Sequence, residues 1–484
     1  MTWTQSTRFP QFSSLSLSLS RSLARSLVRH GCAGDGEGEG ARGTEKSWCK
    51  AVPGGTGIMV VAVAISRPIE LSFLRTALQK LQDSNQILRA KLPLQRGVES
   101  FTISLAPYVE IESFDAVETS EILSRRIGAS GEVSPFERLV EHDLNRNPWA
   151  VQAGSSAAAP APVFFAATYA VPESETTIVS LRLHSAVCDR TTSSSVLWWL
   201  LGLLAEIEDG DGGERTAHPG IEEMTIMATA GKPFWARGRD ILGYSFNFTR
   251  SACLPFQNTA LPRSSAIARM VLTAAETSDL LSACKSRGVK LCGVLTAAML
   301  LAALSSKHLP AGRSESYTVI TMIDCRKFLD PKLDSLDLGF YNSAIQNAYS
   351  VREGEDLWEV ADRCQGSLSK AIDGNRHITD MADLNLLMRK AIDNPILTPS
   401  SSMRTALLSV FEETVVYEPC QIYRRAGVEE FIACSSVHGV GPSVAVFDSI
   451  RDGQLQCDCL YPTPLHSREQ IQALVDHAKS ILVG

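Results

Sequence analysis

Runs of apolar residues alternate along the chain with segments whose apolar positions recur at helical spacing. The run Ile58–Ile65 is continuous and rich in β-branched residues, which predicts a strand that is buried on both faces. Apolar positions between residues 73 and 81 recur at intervals of three and four, which predicts an amphipathic helix. The same criteria predict strands at Val163–Ala170 and Thr177–His184 and an apolar core helix at Val196–Leu204.

The second half of the chain continues this mixture of helices and strands. Two helices are predicted over Glu276–Ser286 and Val289–Leu304, with Gly288 as the break between them. Further strands and a last helix are predicted at Tyr317–Ile323, Phe431–Val437, Ser443–Phe447 and Ser467–Leu482. Elements mixed in this order predict an α/β or α+β protein with at least two layers.

Composition narrows the class of protein. Hydrophobic residues make up 44% and charged residues 20% of the 484 residues, which is typical of a folded globular protein. The net charge of −7 argues against a nucleic-acid-binding protein, which normally carries a basic excess. The apolar run Ile58–Ile65 is far shorter than the roughly 20 residues that a membrane span needs. We therefore expect no nucleic acid as a partner and no membrane span.

The first 44 residues differ in composition from the rest. Residues 1–34 contain four arginines, eight serines and no acidic residue, and Gly34–Gly43 is rich in glycine and glutamate. This pattern is typical of an organellar transit peptide, but a disordered tail or an upstream segment wrongly included in the sequence has the same composition. We expect residues 1–44 to be such a leader and the fold to begin at Glu45. The expected location is the cytoplasm, or a plastid or mitochondrion if residues 1–34 are a targeting segment.

The twelve cysteines are scattered along the chain and form no Cys-x-x-Cys pair. Cys457 and Cys459 are close together, but without a second pair they do not indicate a metal site. We interpret the cysteines as reduced thiols of an intracellular protein, and we predict no metal and no redox cofactor.

The turn from His184 to Asp189 carries the strongest candidate for chemistry. In a strand that ends at His184, the period of two places Ser180, Arg182 and His184 on one polar face. A histidine at the end of such a strand can act as a general base, although a hydrogen-bonded structural histidine is the commoner occupant of that position. We expect the His184 ring to line a cavity.

This turn, Leu181–Arg190, resembles the HHxxxDG motif of the chloramphenicol-acetyltransferase-like superfamily. The superfamily includes peptide-synthetase condensation domains, alcohol acetyltransferases and plant BAHD acyltransferases. Three further segments are similar to it in the same order along the chain: Arg287–Ala298, Asp324–Arg326 with Gly339–Ser343, and Val440–Asp448 with Tyr461–Pro464. The resemblance covers residues 45–484 and suggests a plant-type member with a degenerate motif.

The resemblance implies a two-lobed α/β (α+β) fold, with mixed sheets flanked by helices and a tunnel between the lobes. We assign residues 45–235 to the N-terminal lobe and residues 236–484 to the C-terminal lobe. Aligned on Asp189, the second histidine of the motif, which is the usual base, falls on Ser185. His184 then takes the position of the first histidine, and Arg190 replaces the glycine.

The resemblance also implies a function, the transfer of an acyl group from a CoA-type thioester to an alcohol or amine acceptor. His184 is the possible general base, and Asp189 is the second site residue, whose role in the superfamily is structural pairing with an arginine. Arg190 and Arg326 are the candidate partners. No covalent acyl-enzyme is expected, so Cys188 is interpreted as a small buried residue. The alternative is a catalytically degenerate protein that uses the same fold for binding. Acyl-CoA would be a co-substrate, and we expect a monomer.

Other candidates carry weaker signals. Gly441–Ala445 lacks the last glycine of a GxSxG nucleophile elbow, which argues against a serine hydrolase. His438 and His218 are interpreted as loop or core histidines. The stretch Lys232–Arg237 combines aromatic and basic residues, and we interpret it as a loop between the lobes rather than a site for the CoA phosphates.

Overall fold

The computed structural model describes residues 43–92, 101–124, 133–150, 160–205, 215–225, 251–307, 312–417 and 421–484. Its strands are β1 Thr56–Ile65, β2 Ala90–Leu92, β3 Thr102–Ile103, β4 Ile111–Phe114, β5 Ala161–Pro162, β6 Phe164–Ala170, β7 Thr177–His184, β8 Ser264–Val271, β9 Ser314–Asp324, β10 Asn342–Arg352, β11 Arg404–Phe411, β12 Val415–Tyr417, β13 Val428–Val437, β14 Gly441–Arg451 and β15 Gln454–Thr463.

The α-helices of these ranges are α1 Gly43–Ala51, α2 Leu71–Asp83, α3 Ala116–Ser124, α4 Pro135–Leu144, α5 Arg190–Leu204, α6 Ile221–Met224, α7 Ala274–Arg287, α8 Leu291–Ser305, α9 Leu357–Asp373, α10 Arg376–Thr379, α11 Met381–Asp393, α12 Gln421–Ala426 and α13 Arg468–Val483. Short 3₁₀ turns add Val52–Gly54, Gln86–Arg89, Arg326–Phe328, Pro395–Leu397 and Pro399–Ser401.

The first lobe is built on a five-stranded sheet in the order β13-β1-β7-β6-β4. All ten residues of β1 are buried, as its continuous apolar run predicts for a strand covered on both faces. Helices α4 and α5 pack against it. A small sheet in the order β3-β2-β5 lies beside this layer.

The second lobe is built on a larger mixed sheet in the order β10-β9-β11-β14-β15-β8, and β12 pairs with β14. Helix α8 is apolar on every side and packs against α9 and α13 in the core of this lobe. Among the described helices, none alone has the length and hydropathy of a membrane span; α7 and α8 reach that threshold only as a pair, which is bent by 107°.

The predicted mixture of helices and strands is confirmed, and the two-lobed architecture with mixed sheets is present. The helix predicted at Val196–Leu204 begins earlier, at Arg190, because the Asp189 side chain accepts a hydrogen bond from Thr192 N and caps it. This helix is only partly internal, since Trp198 is 38% exposed.

The start of the fold and the placement of strand β13 differ from the sequence-based assignment. The first helix begins at Gly43, and Thr44 N donates a hydrogen bond of 2.7 Å to Glu222 Oε1, so these two residues belong to the fold and not to the leader. Strand β13, assigned with residues 236–484 to the C-terminal lobe, pairs instead with β1 in the first sheet. The predictions for residues 1–42, for Lys232–Arg237 and for the lobe boundary at 235/236 lie outside the described residues.

Candidate active site between the lobes

Asp189 is the N-cap of α5 and is buried in the first lobe, and its carboxylate is held from both lobes. Its Oδ1 accepts hydrogen bonds from Thr192 N at 2.8 Å and from Arg326 Nη2 at 3.1 Å. Its Oδ2 accepts from Arg326 Nη1 and from Tyr341 N, each at 2.8 Å. Every lone pair that the carboxylate would direct at a substrate is therefore engaged by the protein itself.

Arg326 is the partner of Asp189, one of the two arginines that the sequence left open. It is buried, and its guanidinium also contacts Asp324 at 3.2 Å. Burial alone would lower the pKa of Arg326, but the carboxylates of Asp189 and Asp324 raise it above the ordinary value. The predicted structural role of Asp189 thus takes the form of a buried ion pair that joins α5 to the end of β9, and we call Asp189–Arg326 the interlobe pair.

Arg190, the other candidate, joins the lobes at a different place. Its Nη2 lies 3.1 Å from Asp448 Oδ1, and its Nη1 donates to Glu413 O at 3.0 Å. The guanidinium lies 4.2 Å from the centre of the Phe411 ring. The arginine that replaces the glycine of the motif therefore has a structural role of its own.

His184 is buried at the end of β7, and its ring faces the interior of the first lobe. Nδ1 accepts a hydrogen bond from Ala186 N at 3.0 Å, and the ring packs edge-on against Trp149 with 5.1 Å between ring centres. Burial lowers the pKa of His184 to about 3. With Nδ1 accepting, the neutral ring carries its proton on Nε2.

The direction of the His184 ring follows from the strand. Arg182 lies on the same face, two residues earlier, and its Nη2 pairs with Glu112 Oε2 at 2.8 Å within the first lobe. The polar face predicted from the sequence is real, but its arginine contacts carboxylates of the first lobe, the exposed Glu112 and the buried Asp143. His184 is not among the residues that line the cavity described next, so our prediction that its ring lines a cavity is not met at that cavity.

Ser185 occupies the motif position of the usual base and points the other way. A Cβ atom added to Gly57 would lie 2.9 Å from Ser185 Oγ and 2.8 Å from the Trp48 ring, so both side chains converge on the backbone at Gly57. Gly57 has a φ of +92° and no side chain, which leaves this close approach open. Trp48 lines the cavity, so Ser185 lies beside the same backbone position as a residue of the cavity wall.

A predominantly apolar cavity of about 240 Å³ lies where α1 and the start of β1 meet the second sheet. Its floor consists of residues from three neighbouring strands, β10, β9 and β11: Asn342, Ala344, Gln346, Ile320, Met322 and Ser409. Its other walls include residues of α1, of α11 and of the chain that leads from β13 into the start of β14: Thr44, Trp48, Met381, Leu384, Leu387, Met388, Val440 and Gly441. This cavity lies where the two lobes meet.

The remaining candidates from the sequence do not assemble a second site. Cys188 is buried, and burial followed by the charge of Asp189 raises the pKa of its thiol, in keeping with the small buried residue that we predicted. His438 has Nδ1 3.0 Å from Ser265 Oγ, and burial followed by the charge of Arg404 lowers its pKa to about 4. His218 pairs with Asp337 at 3.1 Å. In the described ranges, no three side chains of the metal-binding types come together.

Two segments that carry the resemblance, Gly339–Ser343 and Val440–Asp448, contribute residues to the cavity, but the sequence assigned them no role in a site. Gly441 and Pro442 line the cavity, while Ser443, the serine of the rejected nucleophile elbow, is buried in β14. Helix α11 was not predicted. Its apolar residues face the cavity rather than a continuous core, and a sequence pattern does not distinguish the two.

Comparison with known structures tests the architecture. Over 92% of this chain and 93% of the other, the protein superposes on the trichothecene 15-O-acetyltransferase of Fusarium sporotrichioides with a TM-score of 0.64 and 13% identity. Polyketide synthase associated protein 5 of Mycobacterium tuberculosis gives 0.60 at 14% identity, over 91% of this chain and 96% of the other. The cyclization-docking bidomain of a synthetase from Sorangium cellulosum gives 0.61 at 13% identity, over 99% and 93%.

The chain has a chloramphenicol-acetyltransferase-like fold. In sequence, residues 262–401 match the family described as the C-terminus of phthiocerol/phthiodiolone dimycocerosyl transferase. No curated protein matches the whole sequence significantly. At these identities the structural likeness establishes the architecture, and the chemistry has to be argued from the residues of this chain.

Proposed function

We propose that this protein is an acyltransferase that moves an acyl group from a CoA-type thioester to an alcohol or amine held in the interlobe cavity. The observation that carries the proposal is that the motif lies beside the wall of that cavity. Ser185, at the position of the motif's usual base, and Trp48, in the cavity wall, meet at Gly57. The family match over residues 262–401 adds support, since that family is described as a transferase.

The proposed reaction needs a base and an electrophile and no covalent enzyme intermediate. The acceptor loses the proton of its O–H or N–H to the base, and its lone pair forms a bond to the thioester carbonyl carbon. The resulting tetrahedral intermediate expels the thiolate as the C–S bond breaks, and the proton held by the base passes to the departing sulfur. A general base contributes roughly 10²–10⁴-fold to such a reaction.

His184 is the proposed base, and the structure defines what that role requires. Its Nδ1 is occupied by Ala186 N–H, and burial makes the ring a weak base with a pKa of about 3. To accept a proton from an acceptor in the cavity, the ring has to leave Ala186 and turn away from Trp149. The interlobe pair takes no part in the chemistry and acts only by holding the two lobes together.

The second candidate function is that of a binding protein without catalysis. Ser185 favours it, because a serine hydroxyl is no base near neutral pH unless a neighbouring group activates it. In this alternative, the cavity and the interlobe pair keep their roles, and no acyl group is transferred.

The test is thioester turnover with a panel of alcohol and amine acceptors. With His184 as the base, His184→Ala lowers kcat by about 10²-fold or more and leaves the affinity for the acyl-CoA donor unchanged, because proton transfer is lost and binding is not. His184→Asn keeps an acceptor atom for Ala186 N–H and separates this effect from a loss of folding. His477→Ala, an exposed histidine on α13, is the matched control and leaves kcat unchanged.

The binding protein gives a different pattern in the same assay. The wild-type protein then binds acyl-CoA and transfers nothing to any acceptor, and His184→Ala has no turnover to reduce. Ser185→His, which restores the family pattern beside the cavity wall, would create transfer where there was none. Turnover by the wild-type protein that is unaffected in His184→Ala and His184→Asn would exclude His184 as the base.

A further inference from the structure

Two side-chain amides on the floor of the cavity have polar atoms without hydrogen-bond partners. Asn342 is 5% exposed and Gln346 is 8% exposed, both on β10. In the part of the chain that the structure describes, Asn342 Oδ1 and Gln346 Nε2 are buried and unpaired. Both residues line the cavity. An unpaired buried polar atom costs about 1–3 kcal/mol, so folded proteins keep few of them without a reason.

The two amides lie on one face of the strand with apolar surface between them. Residues 342, 344 and 346 share one face of the strand and line the cavity, as does Ser343, and Ala344 separates the two amides. On the neighbouring strand β9, Met322 is opposite Ala344 and Ile320 is opposite Gln346, and both of these residues also line the cavity. A molecule on this floor therefore meets a polar group, an apolar stretch and a second polar group.

The spacing of the strand fixes the length of a ligand that reaches both amides. Asn342 and Gln346 are four residue steps apart along an extended strand, which is about 13 Å at roughly 3.3 Å per step. The Asn342 end is the one near the motif, because Tyr341, the preceding residue, donates its backbone N–H to Asp189. Gln346 lies at the far end of the floor.

We propose that the cavity binds an elongated aliphatic molecule that carries a hydrogen-bonding group at each end, one recognised by Asn342 and the other by Gln346. This inference rests on the proposed function, since the molecule would be the substrate, with its reacting group at the Asn342 end and Gln346 selecting for a polar far end. The unpaired Asn342 Oδ1 accepts from a hydroxyl or an N–H group, and the unpaired Gln346 Nε2 donates to a hydroxyl or a carbonyl oxygen.

The experiment measures binding of matched probes by isothermal titration calorimetry. Decane-1,10-diol has hydroxyls separated by about the required span, and 1-decanol has the same chain with one polar end. In Gln346→Met, which keeps the length of the side chain and removes its polar atoms, the Kd of the diol rises about tenfold while the Kd of 1-decanol stays within about twofold. The loss falls on the diol because only the diol places an oxygen against residue 346.

Asn347→Leu is the matched control, because residue 347 is on the same strand, is not a cavity residue, and its amide donates to Tyr349 OH. It leaves the ratio of the two Kd values unchanged. Gln346→Leu repeats the test with a second apolar side chain, and thermal unfolding checks that each variant is folded.

A second pair of probes, the pantetheine thioesters of decanoic and 10-hydroxydecanoic acid, distinguishes an acyl chain from an acceptor as the occupant. Selective loss of the hydroxylated member in either pair supports the proposal. Equal changes within both pairs, or no binding of any of the four probes, overturn it. Calorimetry measures binding and not transfer, so the two proposals are tested separately. A protein that binds the diol selectively but gives no turnover in the thioester assay would refute the proposed function and leave this inference intact.

Discussion

The two ends of the His184–Asp189 turn lie five residues apart in the motif and have opposite environments. The Asp189 carboxylate accepts four hydrogen bonds, and three of them come from Arg326 and Tyr341 in the second lobe. The His184 ring accepts one, from Ala186 in its own turn, and packs on Trp149 in the first lobe. The aspartate of this motif therefore holds the two lobes together, and under the proposed function only the histidine end takes part in the chemistry.

The largest effect on stability is expected from removing the Asp189 carboxylate, the end of the turn that is held by four hydrogen bonds. Asp189→Ala leaves Arg326 buried without its main partner and removes the N-cap of α5. Loss of one member of a buried ion pair costs about 3–5 kcal/mol in the free energy of unfolding. Urea denaturation monitored by circular dichroism measures it. A variant with wild-type stability and altered acceptor kinetics would contradict the structural role of Asp189.

A smaller, pH-dependent effect is expected at the other end of the turn. The folded-state pKa of His184 is lowered to about 3 by burial, so the unfolded chain, with a pKa near 6.5, binds the proton more tightly. This contribution to stability is complete above about pH 6.5 and is lost as the pH falls toward 3, by up to about 1.4 kcal/mol per pH unit.

His184→Asn removes this group and keeps an acceptor for Ala186 N–H. Its free energy of unfolding, measured between pH 7 and pH 4, should fall less steeply on acidification than that of the wild-type protein. His438, with a pKa lowered to about 4 by burial and then by Arg404, stays in both proteins and cancels in the difference. Parallel curves would show that His184 is not held neutral by burial.

The smallest effect is expected for Lys327, the residue after Arg326, whose ion pair is exposed whereas that of Arg326 is buried. Lys327 pairs with Glu413 at 3.0 Å, but the two side chains are 51% and 63% exposed, whereas Arg326 is buried. Exposed pairs contribute about 0.2–1 kcal/mol. Lys327→Ala should therefore change the free energy of unfolding by less than about 1 kcal/mol, and less still in high salt. A loss comparable to that of Asp189→Ala would show that burial does not separate the two pairs.

Local patterns predicted much of the fold, and long-range contacts decided the rest. The apolar run of β1 was enough to predict a strand buried on both faces, and the period of two correctly grouped Arg182 with His184. The period of two did not show that Arg182 on this face pairs with Glu112, because the Arg182–Glu112 contact joins residues 70 positions apart. The choice between Arg190 and Arg326 as the partner of Asp189 depended in the same way on a contact across 137 residues.

The candidate site was harder to predict than the fold. Asn342 lies in the segment Gly339–Ser343 that carries the resemblance, but nothing in the sequence indicated a role for its side chain or for Gln346, and their significance comes from burial without partners. The apolar residues of α11 face the cavity, so their pattern resembles that of an ordinary amphipathic helix. A cavity is defined by what neighbouring elements leave unfilled, and no single segment of sequence records it.

The pairing of β1 with β13 also has a consequence for how the protein is made. Ile58 N donates to Ser436 Oγ, 378 residues later in the chain, so one edge of β1 stays open until nearly the whole polypeptide has left the ribosome. At about 5–20 residues per second, translation of that stretch takes roughly 20–75 s. For that time the nascent first lobe displays an apolar strand edge of the kind that aggregates or recruits chaperones, and it can complete its sheet only after synthesis has passed Val437.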